Sequence, residues 1–388
     1  MTFAPDDATV RRLRKALTPP SAWGNAKITH RRVQNFVQAQ LEQAAGATEL
    51  QSLPVKLTVE STNLCNLRCV ACPTGDERRG RPTGHMSLEL YSWLMRELGP
   101  TLFEVELHNW GEPLLGREVY SFVELAHRAG VSSTISTNFS LPFDEQRAER
   151  LIESGLGVLG VSIDGASQQA YEQYRVRGDL ERVLANCRLV RDAKKRLGSR
   201  TPALYWSFRV FSHNAHEVEV ARRIAGELEM NFVATRGWVI GSEDPALSTY
   251  QYPWADGFPD RCYFLWFQAV VHHDGGVAPC CCTFYKEDDF TRLELDPGRL
   301  ETTSFRDVWN GKQFAAARGL FRARAADHAE LACYDCPETT DFERWKVAIA
   351  EQARDFRRTS SNDFYNYFWR RRPADGGLVA LRRSAKSD

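Results

Sequence analysis

The chain has no excess charge of either sign: 50 lysines and arginines stand against 50 aspartates and glutamates in 388 residues. No global field therefore gathers nucleic acid or an acidic partner, and nucleic-acid binding is not expected. Long apolar runs are missing as well. No stretch of about 18 apolar residues occurs, which argues against a membrane-spanning helix. The first residues, Met1-Thr-Phe-Ala-Pro-Asp-Asp7, lack the apolar core of a signal peptide. The sequon at Asn138-Phe-Ser140 then carries no glycosylation meaning. The ten cysteines read as reduced thiols in a cytoplasm, not as disulfides.

Cysteine is what the chain does have, and it is clustered. Cys65, Cys69 and Cys72 lie in Cys65-Asn-Leu-Arg-Cys69-Val-Ala-Cys72, a C-x3-C-x2-C run just after an apolar, β-branched strand at 55–59. Chance would place this spacing in roughly one such chain in a hundred. Three thiolates on one loop leave one iron of a four-iron cluster without a protein ligand, whereas such clusters normally take four cysteines. An open coordination position follows by the same arithmetic as in a catalytic zinc site. Structural zinc is the competing reading, and it wants a fourth ligand that the neighbourhood does not supply.

From residue 53 onward the pattern alternates between strand and helix. Strands are predicted at 55–60, 103–109, 131–137, 157–163, 204–211 and 232–240, with amphipathic helices near 87–98, 117–129, 143–155, 179–197 and 214–229. Ser87 reads as an N-cap, Asn214 with Glu217 as a capping box, and Gly130 and Gly198 as left-handed helix stops. Six such units are too few for a closed eightfold barrel, so the fold class is α/β, a partial, splayed (β/α)6 barrel. Val33, Phe36, Val37 and Leu41 give the segment 1–52 a helical spacing, read as a lid or brace. The divisions expected are an extension at 1–52, the barrel at 53–241, a small cysteine-bearing domain at 242–345, and a helical, then basic and aromatic tail at 346–388.

Three further motifs end predicted strands: His108-Asn-Trp-Gly-Glu-Pro113, Ser136-Thr-Asn138 and Val161-Ser-Ile-Asp-Gly165. Each alone is an ordinary turn. Together with the cysteine loop, in this order, they resemble the radical S-adenosylmethionine (SAM) superfamily over residues of about 53 to 240. That resemblance implies the partial barrel, a [4Fe–4S] cluster on Cys65, Cys69 and Cys72, and SAM on the unique iron. It also implies SAM contacts from Gly111, Glu112 and Pro113, from Ser162 and Asp164, from Asn138 at the ribose, and from Arg175 at the carboxylate. Arg177 is an alternative to Arg175. Family members usually carry an aromatic residue before the last cysteine, and here Ala71 stands there.

A second cysteine set comprises Cys262, Cys280, Cys281, Cys282, Cys333 and Cys336. Two cysteines 18 apart followed by Cys333-Tyr-Asp-Cys336 resemble the single-cluster "twitch" form of the SPASM-type domain, as in enzymes that oxidise 2-deoxy-scyllo-inosamine. One auxiliary [4Fe–4S] cluster is implied, on Cys262, Cys280, Cys333 and Cys336, with the choice within the triplet open. A four-thiolate zinc site is the alternative.

The resemblance implies an oxidoreductase with a flavodoxin- or ferredoxin-type reductant and hydrogen abstraction by a 5′-deoxyadenosyl radical. Net dehydrogenation of a small, polar, sugar- or cyclitol-like substrate is the leading expectation, with the auxiliary cluster as electron acceptor. An epimerase would need a thiol hydrogen donor, for which Cys281, Cys282 and Cys187 are candidates. A peptide-modifying maturase and a non-catalytic zinc module also compete. Cys187, mid-helix, otherwise reads as a buried thiol. Arg78, Arg79 and Arg81 are candidates for contacting an anionic substrate. His272 and His273 receive no role.

Overall fold

The computed structural model describes residues 25–70, 72–75, 77, 80–236, 262–294, 303–321 and 330–334. Ala71, Arg78, Arg79, Cys336, the strand end at 237–240 and the tail at 346–388 lie outside the described residues.

Helix α1 (His30–Ala45) begins where the Thr29 side chain accepts from the Arg32 amide, and it ends at left-handed Gly46. Val33, Phe36 and Val37 are buried as their spacing predicts. Arg32 gives the helix its bracing role. Its buried guanidinium donates to the carbonyls of Gly99 and Ala129, both at 2.8 Å, and also to Lys27 and Gly130. One cation thereby satisfies carbonyls left open at the ends of two later helices.

Six parallel strands follow: β1 (Lys56–Val59), β2 (Glu104–Glu106), β3 (Ser132–Thr137), β4 (Val158–Ser162), β5 (Ala203–Val210) and β6 (Asn231–Arg236). Helices α2 (Leu88–Leu98), α3 (Val119–Arg128), α4 (Glu145–Glu153), α5 (Gln168–Tyr174), α6 (Leu180–Arg196) and α7 (Val218–Glu227) connect them. The strands pair in chain order, as repeated strand–helix units require. Ser87 caps α2, accepting from Leu90 N at 3.2 Å. Gly130 and Gly198 end α3 and α6 at φ of 68° and 61°. Helix α5 is not foreshadowed by the sequence; at seven residues it is too short to show periodicity.

The expected capping box at Asn214 and Glu217 does not form. Asn214, fully buried, instead accepts from Phe211 N at 2.7 Å and donates to the carbonyls of Asp164 and Arg209, each at 2.9 Å. Glu217 leaves its own helix and caps α5, accepting from Ala166 N at 2.6 Å and Ser167 N at 3.2 Å. A tertiary partner won over the local one.

The sheet does not stop at β6. Helix α8 (Phe264–Phe267) leads into β7 (Gln268–Val271), which runs parallel to β1 on the edge away from β2. Strands β8 (Gly276–Ala278) and β9 (Thr291–Arg292) then add antiparallel. The order is β6-β5-β4-β3-β2-β1-β7-β8-β9, one sheet of nine strands among the described residues. Helices α9 (Phe305–Trp309) and α10 (Lys312–Gly319) pack beside it, with Phe305, Trp309 and Phe314 in the core.

The two faces of the sheet differ sharply. Leu57, Val59, Val105, Ile135, Leu159, Val161, Leu204, Trp206 and Phe208 belong to the apolar core, where each large side chain stabilises by about 1.5–3 kcal/mol. The alternate residues of β1 to β3 are polar. Lys56 pairs with Glu104 at 3.2 Å and Glu106 at 2.8 Å, Thr58 and Gln268 both reach Glu106, and Thr134 bonds Glu104. This inner face is a charged, hydrogen-bonded interior whose buried ions are paired.

Candidate functional site

All the strand-end loops converge at the C-terminal edge of the parallel strands. The cysteine loop leaves β1 there and is fastened on two sides. Arg68 N donates to Val176 O at 3.0 Å and Val70 N to Tyr174 O at 3.1 Å, while Glu112 N donates to Leu64 O at 2.7 Å. Two glycines permit this closeness. A Cβ at Gly111 would stand 2.1 Å from the Thr62 carbonyl oxygen, and one at Gly75 would stand 2.3 Å from that of Cys69. The close approach at Gly111 is therefore made by the neighbouring loop's backbone, and the Glu112 amide is already taken.

The thiols sense one another. Burial, aided by Glu112 and the other two thiols, pushes Cys65 up to about 11. Burial likewise raises Cys69, against the pull of Arg175. Asn138 Nδ2 lies 3.7 Å from Cys65 Sγ and Arg175 Nη1 3.8 Å from Cys69 Sγ. Three soft thiols, two of them facing hydrogen-bond donors, match the donor set of an iron–sulfur cluster and its sulfur-directed hydrogen bonds. A single zinc ion wants convergent ligands, and no group of three His, Cys, Asp or Glu side chains is placed to hold one ion among the described residues.

Of the two arginine candidates, the structure brings Arg175 inward and leaves Arg177 exposed at φ 70°. Arg175 Nε donates to Asp164 Oδ2 at 2.6 Å, and the guanidinium sits 5.2 Å from the Tyr174 ring centroid. Burial opposes its charge, but Asp164 and Cys69 outweigh burial and raise its pKa. Asp164 is itself fully buried, with its other oxygen taking the Arg209 amide. Its carboxylate thus acts on Arg175, which keeps Nη2 and part of Nη1 for an anionic group.

Glu112 plays a similar internal part. Its buried carboxylate accepts from Thr137 Oγ1 at 2.6 Å, Asn138 N at 2.7 Å and Leu114 N at 3.1 Å. Pro113 starts the single turn that Glu112 caps. Burial raises the Glu112 pKa against these bonds. The carboxylate ties the end of β2 to that of β3 and so places Asn138.

Ser162 Oγ lies 3.3 Å from Ser136 Oγ, and Ser136 N donates to His108 Nδ1 at 3.1 Å. These three, with Tyr205, Ser207 and Arg209, are the half-exposed residues where the inner face opens. Burial lowers the His108 pKa, favouring the neutral ring. His108, Tyr205, Ser207 and Arg209 were not singled out from the sequence. Their signal was the alternation of polar residues at Glu104, Glu106 and His108 and at Tyr205, Ser207 and Arg209.

Arg81 is taken up by partners within the protein. It is buried, held by Asp289 Oδ2 at 2.8 Å, Asp274 Oδ1 at 3.3 Å and the Tyr285 carbonyl at 3.0 Å. Beside it Glu60 Oε2 meets His273 Nδ1 at 2.8 Å and His272 Nδ1 at 3.4 Å. The two histidines thus have a place that the sequence did not reveal: they join β7 to the end of β1. Cys187 is part of the apolar core, its thiol pushed up to about 12 by burial, and it cannot serve as a hydrogen donor at the site.

In the second set, Cys280 and Cys282 share a thiol hydrogen bond that, with burial, raises Cys280. Cys262, Cys280, Cys281 and Cys333 are half-buried and Cys282 is exposed, with no disulfide among the described residues. Soft thiols of this number suit an iron–sulfur centre.

Residues 59–205 match the radical SAM superfamily model, and residues 262–337 match an iron–sulfur cluster-binding domain termed SPASM. An AdoMet-dependent heme synthase of Methanosarcina barkeri is 28% identical over 145 residues, covering 37% of this chain and 41% of that protein. The chain thus spans about two-fifths of the length of that curated relative. The SAM-bound structure of Streptococcus suis SuiB superposes with TM-score 0.55 at 12% identity, over 84% of this chain and 81% of that one. BtrN in complex with AdoMet and 2-DOIA gives 0.45 at 20% identity, over 74% and 94%. A [4Fe–4S] cluster and SAM belong to the first domain and an auxiliary iron–sulfur centre to the second. The chain thus carries a radical SAM domain followed by a SPASM iron–sulfur cluster-binding domain.

Proposed function

We propose that this enzyme carries out a net two-electron oxidation of a small, hydroxyl-bearing substrate, sugar- or cyclitol-like, held on the inner face at the strand ends. One observation carries the reading: the accessible part of that face is polar, with His108, Ser136, Ser162, Tyr205, Ser207 and Arg209 offering hydrogen-bond donors and acceptors across β2 to β5. A polyol finds partners for its hydroxyls there, whereas an apolar substrate would leave these groups unpaired.

Cys65, Cys69 and Cys72 would hold the SAM cluster, and Cys262, Cys280, Cys333 and Cys336 the auxiliary one. The first, with SAM and one electron from a flavodoxin- or ferredoxin-type protein, supplies a hydrogen-abstracting radical, and the second supplies an electron acceptor. Arg175, aligned by Asp164, would take the SAM carboxylate, and Asn138, placed by Glu112, would lie by the ribose. The substrate carbinol loses one hydrogen atom, then one electron and the hydroxyl proton, and becomes a carbonyl. Atoms and charge balance, with methionine and 5′-deoxyadenosine as co-products.

The test is anaerobic incubation with SAM, reductant and polyols deuterated at carbon. Deuterium in 5′-deoxyadenosine together with a carbonyl product supports the reading. Deuterium in 5′-deoxyadenosine with a product of unchanged oxidation state that has gained a solvent hydrogen would replace it by epimerisation.

A further inference from the structure

Trp110 touches both cysteine-bearing loops at once. Its carbonyl accepts from Thr74 Oγ1 at 2.5 Å, two residues beyond Cys72. Its indole Nε1 donates to the Thr283 carbonyl at 2.7 Å, the residue after Cys282. The ring stands edge-on to Phe284, 5.6 Å between centroids at 87°. Thr283 in turn closes the turn that carries the cysteine triplet, its amide and hydroxyl reaching the Cys280 carbonyl at 3.4 Å and 2.8 Å. Thr283 is buried, so its carbonyl depends on the indole for a partner. Phenylalanine would supply the ring contact at this position; the N–H is what tryptophan adds.

We propose that Trp110 is a positioning residue that locks the Cys280–Thr283 turn, and with it the auxiliary centre, against the loop of Cys65, Cys69 and Cys72. Two hydrogen bonds and a few covalent links then join the loops through one residue. Electron transfer falls steeply with distance, so fixing this separation sets how promptly the substrate radical is oxidised after hydrogen abstraction. The inference rests on the auxiliary centre being the electron acceptor.

The experiment compares reconstituted wild type with Trp110→Phe. Iron and sulfide content and the EPR response of the SAM cluster to added SAM should stay as in the wild type. The auxiliary cluster's EPR signal and reduction potential should shift, and the ratio of oxidised product to 5′-deoxyadenosine should fall. An unchanged auxiliary signal with an unchanged ratio overturns the proposal. If Trp110→Phe fails to take up iron, Thr74→Val removes the other hydrogen bond while leaving the indole and every cysteine in place. It should move the same two readouts in the same direction, and no movement there overturns the proposal equally. If the wild type itself yields no oxidised product, the functional reading fails and the auxiliary signal alone decides the role of Trp110.

Discussion

At Gly111 a missing side chain lets two strand-end loops meet. An alanine there would place its Cβ 2.8 Å from the Thr62 carbonyl carbon and 2.9 Å from Asn63 Cα, both backbone atoms that have no rotamer to change. Gly111→Ala should therefore cost about 1–3 kcal/mol as overpacking and lower iron uptake, because the shifted segment leads directly to Cys65. Urea melts and iron content of the purified variant check this. Gly198→Ala is the control: nothing lies within 4 Å of its added Cβ, and only its φ of 61° opposes the change. It should lose about 1 kcal/mol and no iron. The sequence placed Gly111 in a strand-end motif, but composition cannot say which group approaches it. The same limit applied to Arg175 and Arg177, which only the local backbone separates: one ends its helix beside Asp164, and the other turns outward at positive φ.

Between elements, Asn214 shows how a local signal can be real and yet misassigned. Asparagine three residues before glutamate reads as a capping box, yet the amide spans Phe211, Arg209 and Asp164 and so joins the end of β5 to that of β4. Asn214→Ala would leave one buried amide and two carbonyls unpaired, which should destabilise by about 2–3 kcal/mol. Because Asp164 orients Arg175, SAM affinity should fall too, as equilibrium dialysis of the reconstituted variant would show. Equal SAM affinity with reduced stability would separate the structural part from the positioning part. Strands and long helices were legible because their periods repeat. The polar inner face left a trace in the alternation of Lys56, Thr58 and Glu60, but the strand reads as apolar and β-branched until its neighbours are laid beside it. The hairpin of β7 to β9, with strands of four, three and two residues, is too short for any period to show.

Across the whole molecule, the nine-stranded sheet continues from the barrel strands into the auxiliary region, and a buried charge network locks that junction. Arg81 follows the cysteine loop, Glu60 ends β1, and His272, His273, Asp274, Asp289 and Arg292 come from the hairpin side. Arg292 reaches Asp289 and Asp274, both at 2.9 Å. Burial alone would raise the Glu60 pKa, but the two imidazoles outweigh it and the net shift is downward. Asp274 is lowered as well, burial being outweighed by Arg292 and Arg81. A depressed carboxyl contributes stability that is fully present above its unfolded pKa, about 4, and that is lost as pH falls toward its folded value. Glu60→Gln should thus be less stable than wild type at pH 7 by about 3 kcal/mol, since one member of a buried ionic set is removed. That gap should narrow by about 1.4 kcal/mol per unit as pH drops below about 4. Urea midpoints of both proteins at pH 7, 4.5 and 3.5 measure it. Parallel lines over that range would mean that Glu60 titrates normally, and the junction would then owe its strength to the arginine–aspartate pairs of Arg81 and Arg292 with Asp274 and Asp289.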